Sequence, residues 1–288
     1  MDVNNDAIIN VPIKSLRKFE NYPFLIHEDE SMAELVKSIK ENGVLTPLNV
    51  LPTDDGKFEI ISGHRRKRAC ELAGITELPV IVKHLSRDDA IIQMVDSNIQ
   101  REKLLPSELA KAYSMRYEAI KRKRGRPTID DSSDKEKGKA RKIIADKFSV
   151  SDTTVDRYRK MNSLIPEIMD LVDKNKLGLS SAYELAFLSP DEQKTVLTSI
   201  ETEGAPSRSQ ALRLKKLSKE GNFNDDTAFT IMQEQKKPES FNVIIPYEKI
   251  SKYFSKNCSP AEIAERLLAL CERIYQQKQN NKQHSNER

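Results

Sequence analysis

The apolar positions between residues 8 and 95 change rhythm repeatedly. Short apolar runs at Ile8–Ile13, Leu48–Leu51, Phe58–Ile61 and Leu78–Val82 read as strands. Between them, Ser31–Asn42 sets Leu35, Val36 and Ile39 on one helical face, with Ser31 as the expected cap and Gly43 as the stop. Thr53-Asp54-Asp55-Gly56 joins the second and third runs as a turn. Arg65–Ala73 reads as a helix closed by Gly74, and Ser86 caps another that runs to about Asn98. The alternation predicts a small α/β domain over residues 8–105.

Beyond Pro106 the strand signals stop. Ser107–Lys121 reads as a helix, and residues 140–217 as all-helical, broken at Ser149-Val150-Ser151, Pro166, Leu177-Gly178 and Ser189-Pro190. Residues 121–139 (KRKRGRPTIDDSSDKEKGK) carry no periodicity and read as a mobile basic linker inside a helical domain over 106–217. Residues 218–240 read as polar and loosely structured. Phe241–Ile245 is a further strand candidate, followed by helices at 247–255 and 260–278 and a polar tail over 279–288. The fold class is therefore α+β: an N-terminal α/β domain, an all-α domain, and a small C-terminal α/β element over 218–278.

Composition narrows the class. A chain of 288 residues accommodates two or three domains, and 32% charged residues with no Trp point to modest cores. Cys70, Cys258 and Cys271 form no CxxC pair, which argues against a disulfide framework or a zinc site. Met1–Asp6 lacks the profile of a signal peptide, and no apolar run reaches membrane-spanning length, so a cytoplasmic protein without a membrane partner is expected. The net charge of +4 conceals an asymmetry. Lys121–Lys160 holds 14 Lys and Arg against 7 Asp and Glu, which suggests an anionic polymer bound at one place.

Ser62-Gly63-His64-Arg65-Arg66-Lys67-Arg68-Ala69 follows a strand and opens a helix. Such a turn offers unpaired backbone N–H groups and the positive end of the helix dipole. Gly63 permits close backbone approach, and Arg65, Arg66 and Arg68 supply forks suited to phosphate oxygens. Three arginines in four positions repel one another unless an anion lies between them. A nucleoside triphosphate on this turn is the functional reading, and a basic helix start on the surface is the plain one. Further on, Asn98, Gln100 and Arg101 carry amides and a cation that could serve Mg²⁺ and phosphate, or simply form a polar helix end.

These stretches, together with Val11-Pro12-Ile13 and Ser38–Pro47, occur in an order and spacing that resemble the ParB/Spo0J partition-protein family. The resemblance covers about residues 8–220. It implies a ParB/sulfiredoxin-like N-terminal domain that binds CTP with Mg²⁺, and a homodimer that CTP switches into a DNA clamp. By position, Gly43 and Thr46 would face the cytidine. Gly63, His64, Arg65, Arg66 and Arg68 would hold phosphates, and Asn98, Gln100 and Arg101 would serve the metal and triphosphate, with Asn98 as the metal ligand. The family's usual glutamates stand here as His64 and Ser97, and its usual glutamine as Thr46. The second replacement leaves weak CTP hydrolysis open, since Asp96 lies one residue too early to substitute. Sulfiredoxin chemistry needs a cysteine between Gly63 and His64, and none is there.

Ile144–Arg159 fits a helix-turn-helix, with Ala145, Ser149 and Val155 at the 5–9–15 spacing of that motif. Ser151, Thr153, Thr154, Arg157 and Tyr158 would lie near a DNA groove, while Arg159 and Lys160 would touch phosphate. Arg124 and Arg126, in an Arg-Gly-Arg-Pro segment, would enter a minor groove or tether phosphate. The expected function is a sequence-specific partition protein on double-stranded DNA, nucleoid-associated, with a ParA-type ATPase implied by resemblance. A mobile-element transcription regulator and a nucleotide-dependent phosphotransferase are the alternatives. In the C-terminal helix, Ile263, Leu267, Leu270 and Ile274 form either a short self-association seam or a face packed on Phe241–Ile245.

Overall fold

The apolar runs of the N-terminal third pair into one sheet. A computed structural model describes residues 7–100, 104–123, 133–234, 247–254 and 258–286. The strands are β1 (Ile8–Pro12), β2 (Leu16–Lys18), β3 (Leu48–Pro52), β4 (Phe58–Ser62) and β5 (Glu77–Val82), in the order β1-β5-β3-β4-β2. β1 runs antiparallel to β5 and β4 antiparallel to β3. The β3–β5 and β2–β4 pairs are parallel. Three-residue β2 escapes a search for alternating runs because it is too short to show a period.

The pleat sends alternate side chains to opposite faces. Val50 and Ile60 are fully buried on one face with Met32 and Ile39 of α1 (Glu30–Asn42) and with Ala69 and Cys70 of α2 (His64–Ala73). Ile61 lies on the other, packed with Met94 and Val95 of α3 (Arg87–Ile99) and Ala112 and Ala119 of α4 (Pro106–Lys123). The helix after the expected domain boundary is thus part of the layer covering the sheet.

The cap of α1 differs from expectation. Asp29, not Ser31, is the N-cap: its carboxylate accepts from Met32 N at 3.0 Å, and the Ser31 hydroxyl donates to it at 2.8 Å. The helix begins two residues early because the shorter reach to the third amide belongs to Asp29.

Helices continue with α5 (Ser133–Phe148), α6 (Asp152–Met161), α7 (Pro166–Asp173), α8 (Leu179–Leu185), α9 (Pro190–Glu203), α10 (Arg208–Glu220) and α11 (Asp225–Gln233). Two of these correct the sequence reading. α5 begins inside the stretch expected as linker, so its last residues are helical. α11 lies in the stretch expected to be loose; Asn224 and Thr227 cap it reciprocally, and Ala228, Ile231 and Met232 are buried. The core here joins Met161, Ile168, Leu185, Val196, Leu214 and Ile231.

The chain divides into two units, Met1–Gln235 and Lys236–Arg288. In the second, α12 (Tyr247–Ile250) precedes α13 (Pro260–Asn286). α13 runs through most of the expected polar tail because no Gly or Pro follows Pro260 to stop it. Of its 4-3-4 positions Ile263 is buried, whereas Leu270 and Ile274 are exposed. The strand candidate Phe241–Ile245 lies outside the described residues.

Candidate functional site

The turn into α2 is built by one residue. β4 ends at Ser62 and α2 begins at His64, so Gly63 alone reverses the chain, at φ 109°. A Cβ there would stand 2.6 Å from Leu48 Cγ, which is fully buried on β3. Only glycine therefore allows both the left-handed backbone and the close approach of the helix start to the sheet. No side chain caps α2.

The arginines around this turn all have partners within the chain. Arg65 Nη2 donates to the Ser31 hydroxyl at 2.5 Å and lies 3.6 Å from Asp29. Arg66 Nη1 donates to the carbonyl of Pro47 at 2.8 Å and to that of Thr46, and burial pulls its pKa down. Arg68 grips Glu28 Oε1 with Nε at 2.8 Å and Nη2 at 2.6 Å, and reaches Glu71 at 3.2 Å. The hydrogen bonds it donates to Glu28 and Glu71 raise the Arg68 pKa. The mutual repulsion that argued for an external anion is thus relieved internally. Through Arg66 the turn also holds the loop that leaves α1 at Gly43 (φ 71°) and exposes Thr46.

His64 does not face outward with the arginines. It is 3% exposed and stacks on Tyr22 at 3.7 Å, because the first helical residue after Gly63 turns into the core. Tyr22 in turn donates its hydroxyl to Asn98 Oδ1 at 3.0 Å, and Asn98 Nδ2 donates to the Met94 carbonyl at 2.7 Å. The expected metal ligand is therefore buried with both ends of its carboxamide engaged. Mg²⁺ favours carboxylate and phosphate oxygens. Among the described residues no cluster of His, Cys, Asp and Glu suits a metal ion, and the Asn98 Oδ1 already accepts from the Tyr22 hydroxyl. Gln100 is exposed at the end of α3, and Arg101 lies outside the described residues. The Ser97 hydroxyl donates to Met94 O at 2.9 Å. Asp96 instead pairs with buried Arg116 of α4 at 2.7 Å.

A second constellation lies at α5 and α6. A three-residue turn joins them, with Ser149 at φ 54°, where glycine is commoner. Ile144 and Val155 are fully buried and Ala145 nearly so, which fixes the two helices against each other. Ser151 caps α6, accepting from Thr154 N at 3.1 Å, and its hydroxyl lies 2.8 Å from those of Thr153 and Thr154. Thr153 and Arg157 are exposed. The guanidinium of Arg157 lies 5.9 Å from the Tyr183 ring, and no carboxylate pairs with it among the described residues.

The other side of α6 turns inward. Tyr158 meets Tyr113 edge-on at 5.8 Å, and burial raises its pKa. Arg159 lies 3.3 Å over Tyr117 and pairs with Asp156 at 3.3 Å. These two serve packing, since the 3.6-residue period carries them to the helix face that Val155 buries. Lys160 stands 4.6 Å over Phe187, which Lys215 of α10 covers from 3.6 Å. Lys215 escaped the sequence reading because its proximity to α6 is purely tertiary. Arg124 and Arg126 lie outside the described residues.

The model of the ParB N-terminal domain matches residues 1–99. The chromosome-partitioning protein Spo0J of Thermus thermophilus is 30% identical over 208 residues, which is 72% of this chain and 70% of that protein. The chain belongs to the ParB family. The probable chromosome 1-partitioning protein ParB of Deinococcus radiodurans is 50% identical over 91 residues, 32% of this chain and 31% of that ParB. Crystal structures of the C-terminally truncated ParB of Caulobacter crescentus are also similar. Its complex with the centromeric parS site aligns with 78% of this chain and 98% of that one, at TM-score 0.41 and 19% identity. Its complex with CTP-gamma-S covers 62% and 92%, at TM-score 0.31 and 24% identity. Among the described residues of this ParB-family chain, no helix is long and apolar enough to cross a membrane.

Proposed function

We propose that this ParB-family chain reads a specific site on double-stranded DNA with α6 and binds CTP at the turn into α2. The observation that carries the reading is the division of α6. Val155, Tyr158 and Arg159 anchor one side, leaving Thr153 and Arg157 exposed on the other. A helix fixed along its inner face presents its outer side chains to a major groove at little further entropic cost. Arg157 is the base reader, while Ser151 and Thr154 order the helix start.

At the other site, the backbone N–H groups after Gly63 and the guanidinium of Arg65 hold phosphate, and the Gly43–Thr46 loop borders the nucleoside. Phosphate oxygens would hold any Mg²⁺, and this scheme assigns it no protein ligand. No hydrolytic base is assigned, because Ser97 and Asp96 both bond within the fold. Nucleotide binding then closes a homodimer around DNA. A ParA-type ATPase is the partner, in a nucleoid-associated, cytoplasmic role.

The test is calorimetric titration of the full chain with CTP, GTP, ATP and UTP in Mg²⁺, with and without genomic DNA fragments, alongside chromatin mapping. Selective CTP binding and a signal that spreads for kilobases from its site are expected. Binding of no nucleotide, with a point-like peak, would leave a conventional regulator instead.

A further inference from the structure

We infer that Glu28, assisted by Asp29, is an internal stand-in for phosphate that must be displaced before an anion can occupy the turn into α2. The inference rests on the nucleotide reading above and adds a residue outside every motif that suggested it. Glu28 lies in the irregular segment before α1, 40 positions from Arg68 in sequence, yet its Oε1 takes two guanidinium bonds at 2.8 and 2.6 Å. Asp29 stands beside Arg65 at 3.6 Å, and Ser31 accepts from the same guanidinium. Two of the arginines that would meet phosphate are thus held by carboxylates of one short segment.

The arrangement suits exchange better than permanent anchoring. The side chains of Arg68 and Glu28 are 38% and 56% exposed, so water screens their attraction. A fork that accepts one carboxylate oxygen accepts a phosphate oxygen in the same geometry, and the phosphate carries more charge. Arg66 is different: it holds backbone carbonyls, which no anion relieves, so it keeps the Thr46–Pro47 loop in place throughout. Displacement therefore frees Glu28 and the coil before α1. Asp29 keeps its second attachment, the cap bond to Met32 N at 3.0 Å.

The experiment compares the full-length wild type with Glu28→Gln and with Glu34→Gln, an exposed carboxylate on α1 for which no arginine contact is described. Each variant loses one negative charge, so net charge does not distinguish them. All three are titrated with CTP–Mg²⁺ and, separately, with inorganic tripolyphosphate. Glu28→Gln is expected to bind either probe roughly two- to fivefold tighter than Glu34→Gln does. That gain is expected to shrink as salt is raised. Equal affinities for Glu28→Gln and Glu34→Gln, or weaker binding by Glu28→Gln, would overturn the clamp. If the wild type ignores CTP but takes tripolyphosphate, the nucleotide reading fails while the comparison of variants still decides the clamp. If no protein binds either probe, both fail. A thermal melt of each variant guards against misfolding. A purely structural pair would lower the melting temperature of Glu28→Gln without tightening anion binding.

Discussion

The turn into α2 and the outer face of α6 both present arginines, yet the two regions hold them differently. At α2, Arg65, Arg66 and Arg68 reach a hydroxyl of α1, an acid of the segment before it and carbonyls of the loop after it. At α6, Arg159 is drawn onto Tyr117 and Asp156, while Arg157, two residues earlier, stays exposed. An arginine's meaning is set by what the fold brings within reach of its guanidinium, not by the density of charge around it in sequence. On the proposed reading, the α2 turn is an anion site held in a neutralised state, whereas the face of α6 is ready without rearrangement.

The largest effect is expected at the turn itself. Gly63→Ala forces a left-handed residue and a side chain into Leu48, at a cost of about 2–5 kcal/mol. Chemical denaturation would measure it, and an unchanged midpoint would show that the turn is not as tight as its 2.6 Å approach implies.

The two arginines of α6 form the next contrast. Arg157→Ala is expected to remove about 1–3 kcal/mol of specific DNA binding with stability untouched. Arg159→Ala is expected to cost about 0.5–2 kcal/mol of stability through its lost ring contact. Fluorescence anisotropy on short duplexes, paired with thermal melts, reads both. A reversal of the two patterns would exchange their roles.

Arg65→Ala sharpens the other half of the comparison. Its partners are partly exposed, so stability is expected to fall by under about 1 kcal/mol, while CTP binding disappears in calorimetry. A large stability loss would mark Arg65 as a packing residue instead.

The smallest effect is on acid titration. The Ser31 hydroxyl, the amide of Met32 and nearby Arg65 hold the Asp29 carboxyl below its ordinary value of 3.8. A carboxyl whose folded pKa is depressed contributes stability above its unfolded pKa and loses that contribution as the pH falls through the folded value. Asp29→Asn is therefore expected to lower stability near neutrality, where that contribution is fully present, and to converge with the wild type as the pH falls below 3.8. Denaturation midpoints followed down to strongly acid pH check this.

Much of this architecture is legible in sequence because its signals are local. Gly43 and Gly74 stop helices at the positions expected, and Ser86 and Ser151 cap them. The α5–α6 hairpin was readable from Ala145, Ser149 and Val155, since small, turn and buried positions at fixed offsets meet wherever two helices cross. β2 was too short to declare itself. α11 hid in a polar stretch because its apolar residues are few and its capping pair is easily read as loop.

What the sequence determined by itself was the alternation of strands and helices, the caps and stops, and the family. The strands, helices, caps and stops depend on residues within a few positions of one another, where the geometry of the backbone leaves little choice; the family depends on the order and spacing of motifs along the chain. The tertiary structure alone decided which polar side chains are available. Glu28 meets Arg68 across 40 residues, Tyr22 meets Asn98 across 76, and Asp96 meets Arg116 across 20. Such pairings follow from how layers stack on the sheet. Charge and hydrogen bonding act through space over a few ångströms, and no sequence spacing records that distance.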